Sequence, residues 1–193
     1  MSRLPHFDPA DLDPGQRDLY DRITDGPRAS GPQYFALTDD QGRLNGPFNA
    51  LLTAPPVGEA IQQLGSVIRY RTSLPDRIRE LAILVVAAGW DCAFEQYAHE
   101  PIARAAGILD SELAELRELR VPRLADEGER AAVELVLELV RDGDAADSTY
   151  DRAVSIIGNR MVFELTALVG YYSTLALQLR VFRVLTPRQT GQR

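Results

Sequence analysis

Cysteine is nearly missing from this chain. Cys92 stands alone among 193 residues, so no disulfide can form within the chain, which fits a reducing cytoplasm. Histidine is almost as scarce. His6 and His99 are the two, with no second histidine at ligand spacing, so a metal held by Glu and His is the less favoured option. Positive charge is in deficit: 21 Lys and Arg face 28 Asp and Glu, for a net charge of -7 and a pI near 4.9. That sign disfavours nucleic acid and anionic membrane as partners. No uninterrupted apolar run reaches the roughly 20 residues that cross a bilayer, and the first residues lack an export signal's charged-then-apolar pattern. What remains is an ordinary globular composition, 45% apolar and 25% charged, long enough for one domain with a single core.

Proline organises the first part of what is there. Pro5, Pro9, Pro14, Pro27, Pro32, Pro47, Pro55 and Pro56 interrupt residues 1–58, each fixing its own φ and removing a backbone donor. Residues 1–58 therefore read as an irregular arm that packs on the core or on a neighbouring subunit. Within it, Pro14 to Ile23 suits a short helix, and Phe48, Leu51 and Leu52 have near-helical spacing. Residues 59–186 read as a helical domain and 187–193 as a flexible tail. Apolar residues at 57, 60, 61, 64, 67 and 68 predict an amphipathic helix. Leu74-Pro75-Asp76 starts the next, which is almost continuously apolar from Leu81 to Ala88 and reads as the buried central helix, stopped by Gly89. Asp91 is expected to cap the following helix, which runs towards Ala106 with a kink at Pro101 and ends at Gly107. Asp110 or Ser111 caps a short helix to Leu119. Glu127 to Arg141 and Thr149 to Ile157 are two more, stopped by Gly143 and Gly158, and Met161 to Leu185 is the last. No run alternates like a strand. The fold class is all-α.

The chemistry concentrates in residues 75–107. Cys92, Glu95 and His99 fall at i, i+3 and i+7, which puts a thiol, a carboxylate and an imidazole on one helix face, with Glu80 on the helix before. Glu95 can accept a hydrogen bond from one ring nitrogen of His99, fixing the tautomer and leaving the other nitrogen to move a proton. Glu80 could meet the pair across the helix interface. Two carboxylates and a histidine suit acid–base work on a carbon acid or a decarboxylation. The plainer alternative is a buried pair that only orders the core. On Cys92, helix-start amides and the Glu95 charge pull in opposite directions, and its plainer reading is a small packed group. Arg69, Arg71, Arg77 and Arg79 crowd this stretch. One could neutralise Glu80, and Arg71 or Arg77 could grip a substrate carboxylate, although helix-face arginines more often stand in solvent. Trp90, Tyr97 and Tyr171, with Tyr70, Phe163 and Tyr172, could wall a substrate pocket or simply fill the core. Gly170 at mid-helix marks close packing or room for a ligand.

Four stretches, GPFNALL at 46–52, LPDRIRELAIL at 74–84, EQYAHEPIARAAG at 95–107 and LVGYY at 168–172, together resemble the carboxymuconolactone decarboxylase family, within the alkylhydroperoxidase D-like superfamily. The likeness implies an alkylhydroperoxidase D-like helical bundle, assembled as a homo-oligomer, trimer or hexamer, that takes a small anionic substrate. Its decarboxylase branch implies a cofactor-independent lyase or isomerase acting on a carboxylated lactone or keto acid, with Glu95 and His99 at matching positions. Its peroxidase branch has a glutamate, then a C-x-x-C pair twelve residues on, then a histidine. Glu80, Cys92 and His99 match that pattern, but Glu95 stands where the second cysteine would be, which argues against disulfide-based peroxidase chemistry. The resemblance thus implies His99, Glu95, Glu80 and Cys92 as site residues. The acid–base lyase is the first reading. A single-cysteine peroxidase or thiol oxidoreductase is the second, and a non-catalytic small-ligand binder or scaffold the third.

Overall fold

The computed structural model describes residues 2–26 and 35–186. Pro27, Pro32 and the tail at 187–193 lie outside them. The fold is all-α: among the described residues there are eight α-helices, one 3-10 turn at Pro9–Asp11, and no strand beyond an isolated bridge between Thr38 and Leu44. The chain divides into two compact units, one of Met1–Tyr70 with Leu177–Arg193, the other of Arg71–Ala176.

In the first unit lie α1 (Pro14–Thr24), α2 (Pro47–Leu51) and α3 (Pro55–Tyr70). The start of α1 is fixed by a reciprocal cap: Asp13 accepts from the Gln16 amide, the Gln16 side chain accepts from the Asp13 amide, and Pro14 needs no donor there. Leu19, Ile23, Leu44, Phe48, Leu51 and Leu52 form the core of this unit. The face that α3 buries is small or polar at Gly58, Gln62 and Gly65 and apolar at Ile68, while Val57, Leu64, Val67 and Tyr70 are exposed. This reverses the expected apolar-in orientation. Close approach explains it, since a Cβ on Gly58 would lie 2.4 Å from the Leu51 carbonyl oxygen and 2.8 Å from Leu19 Cδ2. Residues 2–8 run as a strap over this unit. The Arg3 amide donates to the Phe182 carbonyl at 2.8 Å, and its guanidinium to the Val181 carbonyl at 3.0 Å. Buried Asn49 accepts from the Phe7 amide and donates to the Pro5 carbonyl, both at 3.0 Å.

The second unit holds α4 (Asp76–Gly89), α5 (Ala93–Ala105), α6 (Asp110–Arg117), α7 (Glu127–Asp142) and most of α8 (Asp147–Val181). As its apolar run predicts, α4 is central: every residue from Leu81 to Ala87 is buried, and α5, α6 and α7 all pack on it. Gly89 does not stop this helix. It is the last helical residue, and a Cβ there would sit 2.2 Å from Val140 Cγ1, so glycine is needed for α7 to close on α4. The chain turns at Asp91 instead, with φ +47, and Cys92 takes the N-cap position expected of Asp91. Before α6 the cap position falls to Leu109 rather than Asp110 or Ser111, because Glu112 reaches back to accept the Leu109 amide at 2.8 Å. The expected break at Gly158 is present, at φ +80 and ψ 157, inside a single 35-residue element. By length and composition alone α8 is apolar enough to cross a membrane, although Arg160, Glu164 and Arg180 interrupt its apolar run.

The chain has no lysine, so all 21 of its basic residues are arginines with planar, forked heads. Glu164 shows what such a network does on α8. It accepts from the amide and hydroxyl of Ser73, at 2.9 and 2.7 Å, and from Arg160 Nε at 3.1 Å. Burial is the largest influence and pushes its pKa up, but the Ser73 bonds and Arg160 outweigh it and hold the carboxyl below its ordinary 4.5. A lowered folded-state pKa stabilises the fold above the unfolded value, and the gain disappears as pH falls through the folded one. Glu164→Gln is therefore expected to melt lower than the parent at neutral pH, by an effect of about 1 kcal/mol, with the gap closing on acidification through that range. Melting curves from neutral to acid pH test this. A gap that persists undiminished at low pH would contradict it.

Candidate active site

Helices α4 and α5 bring Glu80, Cys92, Glu95 and His99 into one buried cluster. Glu80 is 0% exposed, Cys92 and Glu95 3%, and His99 7%. The ring is closed to bulk water without being sealed. Its Nδ1 lies 2.8 Å from Glu80 Oε2, and its Nε2 lies 3.4 Å from Glu95 Oε2. The imidazole thus sits between two carboxylates from two helices. The nearer of them is not the one expected: Glu80, across the helix interface, makes the tight bond that orients the ring, and Glu95, one turn earlier on the same helix, stands at the opposite nitrogen. Spacing along one helix revealed Glu95 but could not rank it against a partner from another helix.

Aromatic rings close the flank. Tyr172 meets His99 edge-on with centroids 5.3 Å apart, and Tyr171 meets Tyr172 edge-on at 5.0 Å. Both tyrosines are buried on α8. Tyr97 is half-buried and tilted against Phe94 at 6.3 Å, and Trp90 is half-buried at the C-cap of α4. Phe163 does not wall a pocket, being 73% exposed. Nor does Gly170 mark close packing among the described residues, because none of them lies within 4 Å of where its Cβ would be.

The arginines sort differently from the expectation. Arg77 is committed elsewhere. Its Nε and Nη2 donate to Glu129 at 2.7 and 3.0 Å, Nη2 also reaches Glu112 at 3.2 Å, and Nη1 donates to the Gly107 carbonyl. The Glu129 bond holds its pKa above the ordinary value against the opposing cost of burial. A guanidinium so occupied ties α4 to α6 and α7 and has no free fork for a substrate carboxylate. Arg71 is exposed at the start of the second unit. The arginine at the cluster is Arg79, with Nε 3.9 Å from Glu80 Oε1. Its position directly before Glu80 was the available signal. Among the described residues no group of three His, Cys, Asp or Glu is arranged to hold a metal, and His6 lies in the other unit, 3.9 Å from Asp39.

Comparison with known proteins is consistent with this geometry. Residues 55–138 match the model of the carboxymuconolactone decarboxylase family, a span that contains Glu80, Cys92, Glu95 and His99. No curated protein matches the chain. Among solved structures, a peroxidase-related protein from Ralstonia eutropha, described as an alkylhydroperoxidase AhpD core, superposes with a TM-score of 0.74 at 15% identity, covering 97% of this chain and 93% of its own. A protein of unknown function from Agrobacterium tumefaciens, proposed as an antioxidant-defence AhpD, gives 0.65 at 20% identity over 72% of this chain and 96% of its own. The debrominase Bmp8 gives 0.68 at 14% identity over 92% of this chain and 90% of its own, and its cysteine-to-alanine variant has been seen with 2,3,4-tribromopyrrole. At these identities the likeness establishes a shared fold.

Proposed function

We propose that the chain, whose residues 55–138 match the carboxymuconolactone decarboxylase family model, is an acid–base lyase or isomerase acting on a small carboxylated lactone or keto acid. The observation that carries this reading is His99 held between Glu80 and Glu95 at 2.8 and 3.4 Å. In the tautomer that donates its Nδ1 proton to Glu80, Nε2 is the nitrogen left to exchange a proton, and Glu95 is the group beside it. In a decarboxylation the bond between the carboxylate carbon and its neighbour breaks, carbon dioxide leaves, and the electron pair stays on the substrate as an enolate. Nε2 then delivers to that carbon a proton drawn from solvent by way of Glu95. Arg71, exposed nearby in sequence, is the candidate to hold the substrate's anionic oxygen, with Trp90, Tyr97 and Tyr171 as apolar walls.

A second reading has its own support. Cys92 occupies the N-cap of α5, at the positive end of the helix dipole, and structural relatives bear peroxidase and debrominase names. Cys92→Ser separates the two. On a carboxylated muconolactone in deuterated water, the acid–base reading expects this variant to turn over within about threefold of the parent and to place one deuterium on the product carbon. Loss of turnover in Cys92→Ser, matched by loss of peroxide consumption with an external thiol, would replace this reading with the redox one.

We also propose that the chain works as a homo-oligomer, a trimer or hexamer. The exposed Val57, Leu64, Val67 and Tyr70 on α3 support it, since they form an apolar stripe at helical spacing. Sedimentation velocity should give a species of three or six chains. A monomer at micromolar concentration would refute it.

A further inference from the structure

Helix α8 turns an apolar face outward. From residue 165 to residue 179 the sequence carries neither an acid nor a base. One side of this stretch is core, with Leu165, Leu168, Leu175, Ala176 and Leu179 all 5% exposed or less. On the other side Phe163 is 73% exposed and Leu177 49%. Between these two stand Thr166, Gly170 and Thr174, exposed as well. Both threonine hydroxyls donate back into the helix, Thr166 to the Phe163 carbonyl at 2.8 Å and Thr174 to the Gly170 carbonyl at 2.9 Å. Their protons are thus already placed, and covering them strands no donor. At Gly170 no described atom lies within 4 Å of where a Cβ would be, so a second backbone has room to come close.

The order of these residues decides what fits. Counted from Gly170, Ala167 and Ser173 lie three residues either way, Thr166 and Thr174 four, and Phe163 and Leu177 seven. Steps of three and four keep them on one helix face. Large, small and glycine positions therefore read alike in both directions. A helix that meets an antiparallel copy of itself across a two-fold axis needs that symmetry, because each residue i then faces one residue j and j faces i. We propose that α8 pairs antiparallel with α8 of a second copy of this chain, with the two-fold axis at Gly170. Phe163 of each copy then packs on Leu177 of the other, Thr166 meets Thr174, and glycine lies on glycine at the closest approach. A lipid surface suits the face less well. The opposite side of the helix is fixed in the protein core, and Arg160, Glu164 and Arg180 bound the uncharged stretch. A single helix face is small for an interface, so the pair alone is expected to dissociate on dilution. The pairing does not depend on the α3 contact. Where α3 also closes a ring of three, three such pairs join two rings into a hexamer.

Sedimentation velocity tests the register. Phe163→Glu and Leu177→Arg are each expected to halve the parental mass, from six chains to three or from two to one. Each should raise the dissociation constant of the pair by about 10²-fold, since the two-fold axis makes every substitution count twice. Both side chains are exposed, so circular dichroism should show parental helix in both variants. The double variant Phe163→Glu/Leu177→Arg sets opposite charges against each other at both contacts and should regain the parental mass. A parental mass in either single variant overturns the proposal, and so does a double variant that stays at half mass. A parent of two chains with this rescue keeps the α8 pair and removes the α3 ring instead. Flotation of the parent, but not of Phe163→Glu, on phosphatidylcholine vesicles with unchanged mass would make lipid the occupant and overturn the pairing.

Discussion

His99→Asn is expected to reduce turnover of a carboxylated lactone by about 10³-fold while leaving the helical content and melting temperature close to the parent's. Asparagine is chosen because its amide nitrogen can still donate to Glu80, so the 2.8 Å bond survives in kind and the buried carboxylate is not stranded. What the amide cannot do is take and return a proton on the side of Glu95. Glu80→Gln makes the complementary test. Its amide is no longer a pure acceptor, so the ring loses the bond that fixes its tautomer, and turnover is expected to fall by about 10²-fold. Rates for both variants at saturating substrate, beside circular dichroism, check the pair. Parental turnover in a folded His99→Asn protein would remove His99 from the chemistry and leave the cluster a structural seam.

The second large effect is on stability. Arg77→Met should cost about 3 kcal/mol, a fall in melting temperature of about 6–12 °C for a chain of this size. Arg77 bonds two carboxylates, Glu112 and Glu129, whose side chains are 11% and 13% exposed, together with the Gly107 carbonyl. Removing the guanidinium leaves both acids in a poorly hydrated place without the cation that offsets their charge, and Glu112 with the Leu109 amide at 2.8 Å. The loss should be non-additive: Glu129→Gln in the same protein is expected to return part of it, because it removes one stranded charge. Thermal melts of the two single variants and the double close the cycle. Equal and additive losses would mean that the cluster is solvated and contributes little.

Much of this architecture can be read from local pattern. The apolar run of α4, the Asp13–Gln16 cap of α1 and the break at Gly158 all rest on rules that act over a few residues, and the structure follows them. Departures come where two helices meet. Val57, Leu64 and Val67 look like a buried stripe, but Gly58 lets the other face of α3 pack more closely, which no periodicity reports. Gly89 looks like a stop signal because the side chain that needs its space, Val140, is fifty-one residues away in sequence. The site divides along the same line. Cys92, Glu95 and His99 share a face by spacing alone, whereas the rank of Glu80 over Glu95, and of Arg79 over Arg71 and Arg77, depends on how α4 lies against α5.

The strap of residues 2–8 has a consequence for how the chain is made. Arg3 cannot find its acceptors at Val181 and Phe182 until the chain 178 residues further on has been made, so one compact unit must wait for the end of α8 to emerge. The other, Arg71–Ala176, is a continuous stretch and can collapse while its successor residues are still on the ribosome. Nascent protein would therefore acquire its candidate reaction centre before residues 2–8 are stitched to Val181 and Phe182. The stitching, with its long loop closure, is the step at which a stalled or truncated product would expose the arm-bearing unit to misassembly.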